Sequence, residues 1–196
     1  MDFTLTFIRG AFTQAGKEGR FLGLADHPPH PDGIALLRDR ALQGEYTQAQ
    51  AVFSSPLARC VESARAIYPY SEIIVAGQLA SFDYGAFSGK DYVDIIADKQ
   101  FEDWAKADQL LALPGGEAPY AFIGRCGEAL RTIAAHVQKN KFESVSVVTH
   151  QAVISAILQR YSTSHCLYKD YQLDYGGGLT AACKTETMAL KVLRMF

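Results

Sequence analysis

Phe3-Thr4-Leu5-Thr6-Phe7-Ile8-Arg9-Gly10 is the stretch on which the fold turns. Phe3, Leu5 and Phe7 alternate with Thr4, Thr6 and Ile8, and the run stops at Arg9-Gly10. This predicts a mostly buried strand that delivers Arg9 to its carboxyl end. Ala51-Val52-Phe53, ending in Ser54-Ser55-Pro56, and Ser144 to Thr149, ending at His150, read the same way. Glu72 to Ala76 is a further buried strand. Helical spacing falls between these runs. It covers Gly33 to Leu42, a Leu57-Val61-Ala64-Ile67 stripe with Pro56 in the first turn, Phe122 to Val137, and Ala152 to Tyr161.

Strands alternating with helices imply a three-layer α/β/α fold with a mostly parallel central sheet. Ligands of such sheets sit outside the carboxyl ends of the strands, which gathers Arg9, Ser54-Ser55 and Thr149-His150 at one edge. After Gly176-Gly177-Gly178, the runs Leu179 to Cys183 and Met188 to Met195 form a hairpin or add edge strands. The loop from Gly10 to Asp32 carries no helix in this reading. One domain, 1–196, is expected, with a small helical lid insertion at 81–118 containing Phe101, Trp104 and Leu110-Leu111.

Composition narrows the partners. The 196 residues carry 19 Lys+Arg against 21 Asp+Glu, so no global cationic field attracts nucleic acid or an anionic membrane, and any anion site must be local. No apolar run reaches membrane-spanning length, and Met1-Asp2-Phe3-Thr4 lacks a basic signal region, so a cytoplasmic protein is expected. Cys60, Cys126, Cys166 and Cys183 show no metal-ligand spacing and read as buried thiols. Asp26-His27-Pro28-Pro29-His30-Pro31-Asp32 looks like a metal cluster, but its prolines forbid a helical His pair and it reads as a loop. Four residues, not five, separate Cys60 from Arg65 and Cys126 from Arg131, which excludes a cysteine-phosphatase loop. No cofactor or metal is expected.

In order along the chain, Phe7-Ile8-Arg9-Gly10-Ala11-Phe12-Thr13 with Gly19-Arg20, Ser54-Ser55-Pro56-Leu57-Ala58-Arg59, Leu79 to Gly85, Pro114-Gly115-Gly116-Glu117 and Val147-Val148-Thr149-His150 resemble the landmarks of the histidine phosphatase superfamily, the phosphoglycerate-mutase-like fold. The likeness spans residues 3 to 160. It implies a pocket in which Arg9, Arg59 and His150 hold a phosphate, with Thr13 and Arg20 at its mouth.

Two departures bear on activity. Where the family has its nucleophilic histidine this chain has Gly10, and where it has its acidic glutamate this chain has Ser81. Glycine offers no lone pair for in-line attack, and a serine hydroxyl is a poor general acid near neutral pH. Asp83 as a substitute acid would sit ~6–7 Å further along a strand. The resemblance therefore implies a catalytically impaired protein that binds phosphate, a phosphate ester or a carboxylate. The alternatives are a hydrolase using His150 in a new role, and an interaction protein with a relic pocket.

Overall fold

The computed structural model describes residues 2–106, 112–164 and 171–196. Six strands form one mixed sheet: β1 Asp2–Arg9, β2 Ala51–Ser54, β3 Ile73–Val75, β4 Ser144–Thr149, β5 Gly178–Lys184 and β6 Leu190–Met195, in the order β3-β2-β4-β1-β5-β6. The pairs β1–β4, β2–β4 and β2–β3 are parallel, while β5 runs antiparallel to both β1 and β6. The expected parallel sheet is present, and the two C-terminal runs extend it as a hairpin beside β1.

The alternation in β1 decides which side chain goes to which layer. Phe3, Leu5 and Phe7 enter one apolar cluster with α6 (Pro119–Asn140) and α7 (Gln151–Tyr161), through Leu130, Ile133 and Ile154. Ile8, Val52 and Val148 enter the other cluster with Leu37 of α2 (Pro31–Leu42) and Cys60 and Ala64 of α3 (Ala58–Ile67). Burying one such Leu or Ile side chain stabilises the fold by about 1.5–3 kcal/mol. The buried hydroxyls on the α2/α3 face are partnered: Thr6 Oγ1 lies 2.6 Å from Thr47 Oγ1, and Ser146 Oγ lies 2.8 Å from the Tyr68 hydroxyl.

Several expectations shift in detail. The Ile73–Val75 strand is not buried: it is the outer strand beside β2, and Val75 is 53% exposed. Helix α2 begins at Pro31, two residues before Gly33, because Pro31 fits the first helical position and His30 Nδ1 accepts the Asp32 N–H at 3.2 Å. Helix α3 begins at Ala58, leaving Pro56 outside it, and Asp26 Oδ1 accepts the Ala58 N–H at 2.8 Å. Both uses are structural, and among the described residues no three His, Cys, Asp or Glu side chains gather as a metal site. The loop after Gly10 contains a single helical turn, α1 (Gln14–Lys17). Leu110-Leu111 and Cys166 lie outside the described residues.

Residues 81–118 carry α4 (Tyr92–Ile96) and α5 (Lys99–Lys106), and Phe87, Ile95, Phe101, Trp104 and Leu113 form a separate small cluster with Phe21 and Tyr84 against it. Two turns interlock at its base. The Ala86 N–H donates to the Pro114 carbonyl at 2.9 Å, and the Glu117 N–H donates to the Asp83 carbonyl at 3.0 Å. Gly85 has φ +54°, and a Cβ there would stand 2.2 Å from the Pro114 oxygen. Arg125 of α6 locks the same region. Its guanidinium donates to the carbonyls of Gln78, Ala80 and Ser81 at 2.8, 2.8 and 3.1 Å. It also grips both carboxylate oxygens of Glu117, at 2.9 and 2.7 Å.

Candidate functional site

The parallel register sets the site. Arg9 lies opposite Thr149 and Ser54 opposite Val148, so β1, β2 and β4 end at one level. Beyond that edge opens a cavity of about 400 Å³, and Arg9, Arg59 and His150 all line it. Gly10, Thr13, Arg20 and Ser81 line it too, so residues from four separated segments share one wall.

Each arginine is held from behind. The Arg9 backbone is tied to the C-terminal loop, its N–H donating to the Gly177 carbonyl and its own carbonyl accepting the Gly176 N–H, both at 2.9 Å. Its guanidinium lies 3.8 Å from the Tyr175 ring centroid and donates through Nη1 to the Leu173 carbonyl at 2.6 Å. Gln151 fixes that segment by accepting the Leu173 N–H at 3.0 Å. Arg59, in the first turn of α3, donates to the carbonyls of Ala25 at 2.9 Å and Gly23 at 2.8 Å. Burial pulls Arg59 below its usual value. A guanidinium nevertheless stays charged in proteins, and these bonds use a minority of its five N–H donors.

His150 sits at the end of β4 and is 9% exposed. Its Nε2 is 2.7 Å from Ser55 Oγ, and Cys60 Sγ lies 3.6–3.7 Å from the ring nitrogens. Burial first, then the charges of Arg59, Arg125 and Arg9, hold its pKa well below the usual 6.5, so the imidazole is neutral at neutral pH. A bound anion would offset those arginines and draw a proton toward the ring. The same depression makes stability depend on pH. The unfolded chain takes up a proton near 6.5 that the folded one refuses, so this stability is complete above that value and is lost as pH falls below it. His150→Gln is therefore expected to flatten the slope of melting temperature against pH below that value. Identical slopes in the two proteins would refute this.

The remaining predicted residues differ in kind. Thr13 caps α1, its Oγ1 accepting the Gly16 N–H at 2.9 Å, which leaves its hydroxyl proton available. The Arg20 side chain is 44% exposed and pairs with Glu18 at 3.0 Å. A Cβ at Gly10 would stand 3.2 Å from Cys60 Sγ and 3.4 Å from the Arg59 carbonyl oxygen, so this cavity-lining position is crowded toward α3. Asp83 is no substitute acid: its Oδ1 accepts the Gly85 N–H at 2.8 Å and it does not line the cavity. No carboxylate among the described residues lines the cavity. Burial pushes the Cys60 thiol up to about 12, which keeps it protonated and without nucleophilic character.

Sequence reasoning missed Tyr175 and Gln151 as supports of Arg9, and Arg125 as the brace of the Ser81 carbonyl. The usable signal is the glycine run at 176–178, which lets the chain pass close to β1: a Cβ at Gly178 would stand 2.4 Å from the Phe7 oxygen.

Comparison with known proteins agrees with this layout. The model of the histidine phosphatase superfamily (branch 1) matches residues 5–187. No curated protein matches the chain. Among solved structures, the α-ribazole phosphatase of Shigella flexneri superposes with a TM-score of 0.84 at 21% identity, covering 97% of this chain and 96% of that one. A phosphoglycerate mutase from Bacillus anthracis gives 0.82 at 17% identity, covering 98% and 92%. A phosphoserine phosphatase from Entamoeba histolytica, in complex with 3-phosphoglyceric acid, gives 0.74 at 18%, covering 98% and 96%. With the family model spanning nearly the whole sheet and both helical layers, the chain belongs to the histidine phosphatase superfamily.

Proposed function

We propose that this protein binds phosphate, a phosphate ester or a carboxylate in the Arg9/Arg59 cavity and is catalytically impaired. The observation that carries the reading is the pairing of two permanently charged guanidinium groups with Gly10 and Ser81 in the same cavity. Two planar forks recognise an oxyanion well, and His150 and the Thr13 hydroxyl supply further donors. Arg20 guards the mouth. Gly10 offers no side chain to attack phosphorus, and among the described residues no carboxylate lines the cavity to protonate the leaving oxygen. Solved relatives whose names denote phosphatases and a mutase support a small phosphorylated ligand. The free, buried thiols of Cys60, Cys126 and Cys183 fit a reducing, cytoplasmic setting.

The test combines titration calorimetry with a turnover assay. Phosphate and phenyl phosphate are expected to bind saturably, while purified protein releases no 4-nitrophenol from 4-nitrophenyl phosphate. Turnover that persists through purification and drops in His150→Ala would establish a hydrolase instead. A protein indifferent to every anion would leave the cavity a relic.

A further inference from the structure

A second cleft, of about 180 Å³, adjoins the anion cavity, and Tyr84 and Ala152 line both. Its chemistry is the opposite. Phe82, Phe122 and Trp104 form its walls with Ala156, and Gln159 stands exposed at the rim. The Phe82 ring meets Tyr84 at 5.1 Å and Phe122 at 5.2 Å, both edge-on, which fixes the aromatic wall. Among the described residues no charged side chain lines this cleft. Trp104 is itself buried, and its indole Nε1 has no hydrogen-bond partner among the described residues.

The anion cavity alone is already within the size range of small-molecule sites, larger than a bare oxyanion needs. A ligand whose charged end sits between Arg9 and Arg59 must send the rest of its body somewhere, and the shared walls lead to the Trp104 cleft. A polyol or sugar placed there would face aromatic carbon and lose water from hydroxyls that find few partners. We infer that the ligand is an organic phosphate or carboxylate with an uncharged, apolar body, and that this body fills the Trp104 cleft. This rests on the anion-binding reading above and adds the class of ligand to it.

Methylphosphonate and benzylphosphonate, which share an uncleavable head group, distinguish the two claims by calorimetry. Benzylphosphonate is expected to bind at least about tenfold tighter. Ala156→Leu, which fills the cleft from α7, is expected to bring the ratio of the two affinities close to one. Gln159→Trp does the same from an exposed position should Ala156→Leu melt early. Equal affinities in the wild type overturn this inference and leave the anion reading standing. A tenfold preference that neither variant moves puts the apolar body elsewhere and also overturns it. No response to either phosphonate refutes the anion reading, and this inference with it.

Discussion

Arg59→Ala is expected to weaken phosphate binding by roughly 10- to 150-fold, the equivalent of ~1.5–3 kcal/mol for hydrogen bonds to a charged group. Arg9→Ala should fall in the same range, since both guanidinium groups line the cavity and neither pairs with a carboxylate among the described residues. The two differ in stability. Arg59 ties down two carbonyls, of Gly23 and Ala25, where Arg9 ties down one, of Leu173, so the loss of Arg59 should lower the melting temperature more than the loss of Arg9. Arg20→Ala, at the half-exposed mouth and already paired with Glu18, serves as the control and should change affinity less than about threefold. Calorimetric titration of the three variants decides. Affinity like the wild type in both Arg9→Ala and Arg59→Ala would remove the basis of the proposed function.

Gly85→Ala is expected to cost about 3–4 kcal/mol of stability, in the range reserved for strained backbone and forced overlap. The positive φ alone disfavours an L side chain, but the larger cause is steric. The new methyl would stand 2.2 Å from the Pro114 oxygen and 2.4 Å from the Gly116 nitrogen, both backbone atoms that cannot step aside singly. The interlocked turns would part, and with them the loop that carries Ser81. Gly44→Ala isolates the backbone component: its φ is +74°, yet nothing lies within 4 Å of an added Cβ, so its cost should be only about 1–2 kcal/mol. Thermal melts of the pair settle the matter. Equal losses would show that the turn around Pro114 yields freely.

Much of the architecture could be read from residue order because β1, β4 and α6 have patterns that admit one burial each. Phe3-Leu5-Phe7 and the Phe122 to Val137 stripe face the same core in the structure. The exposure of β3 was not legible, since Ile73 and Ile74 look the same whether a neighbour covers them or not, and only the order of strands places them at the sheet edge. The site divides in the same way. Arg9 and His150 sit at strand ends and Arg59 at the start of the helix that follows β2, and their convergence follows from a parallel sheet. Tyr175 directly, and Gln151 by way of Leu173, support Arg9 through a loop whose return depends on β5 lying antiparallel to β1, a pairing across 170 to 182 residues that no local pattern announces.

The placement of β1 between β4 and β5 has a consequence for synthesis on the ribosome. Strand β1 has both its partners only after residues 144–184 have been made. Until then Phe3, Leu5 and Phe7 belong to a nascent chain with nothing on either flank to hydrogen-bond, a high-contact-order arrangement that slows productive closure.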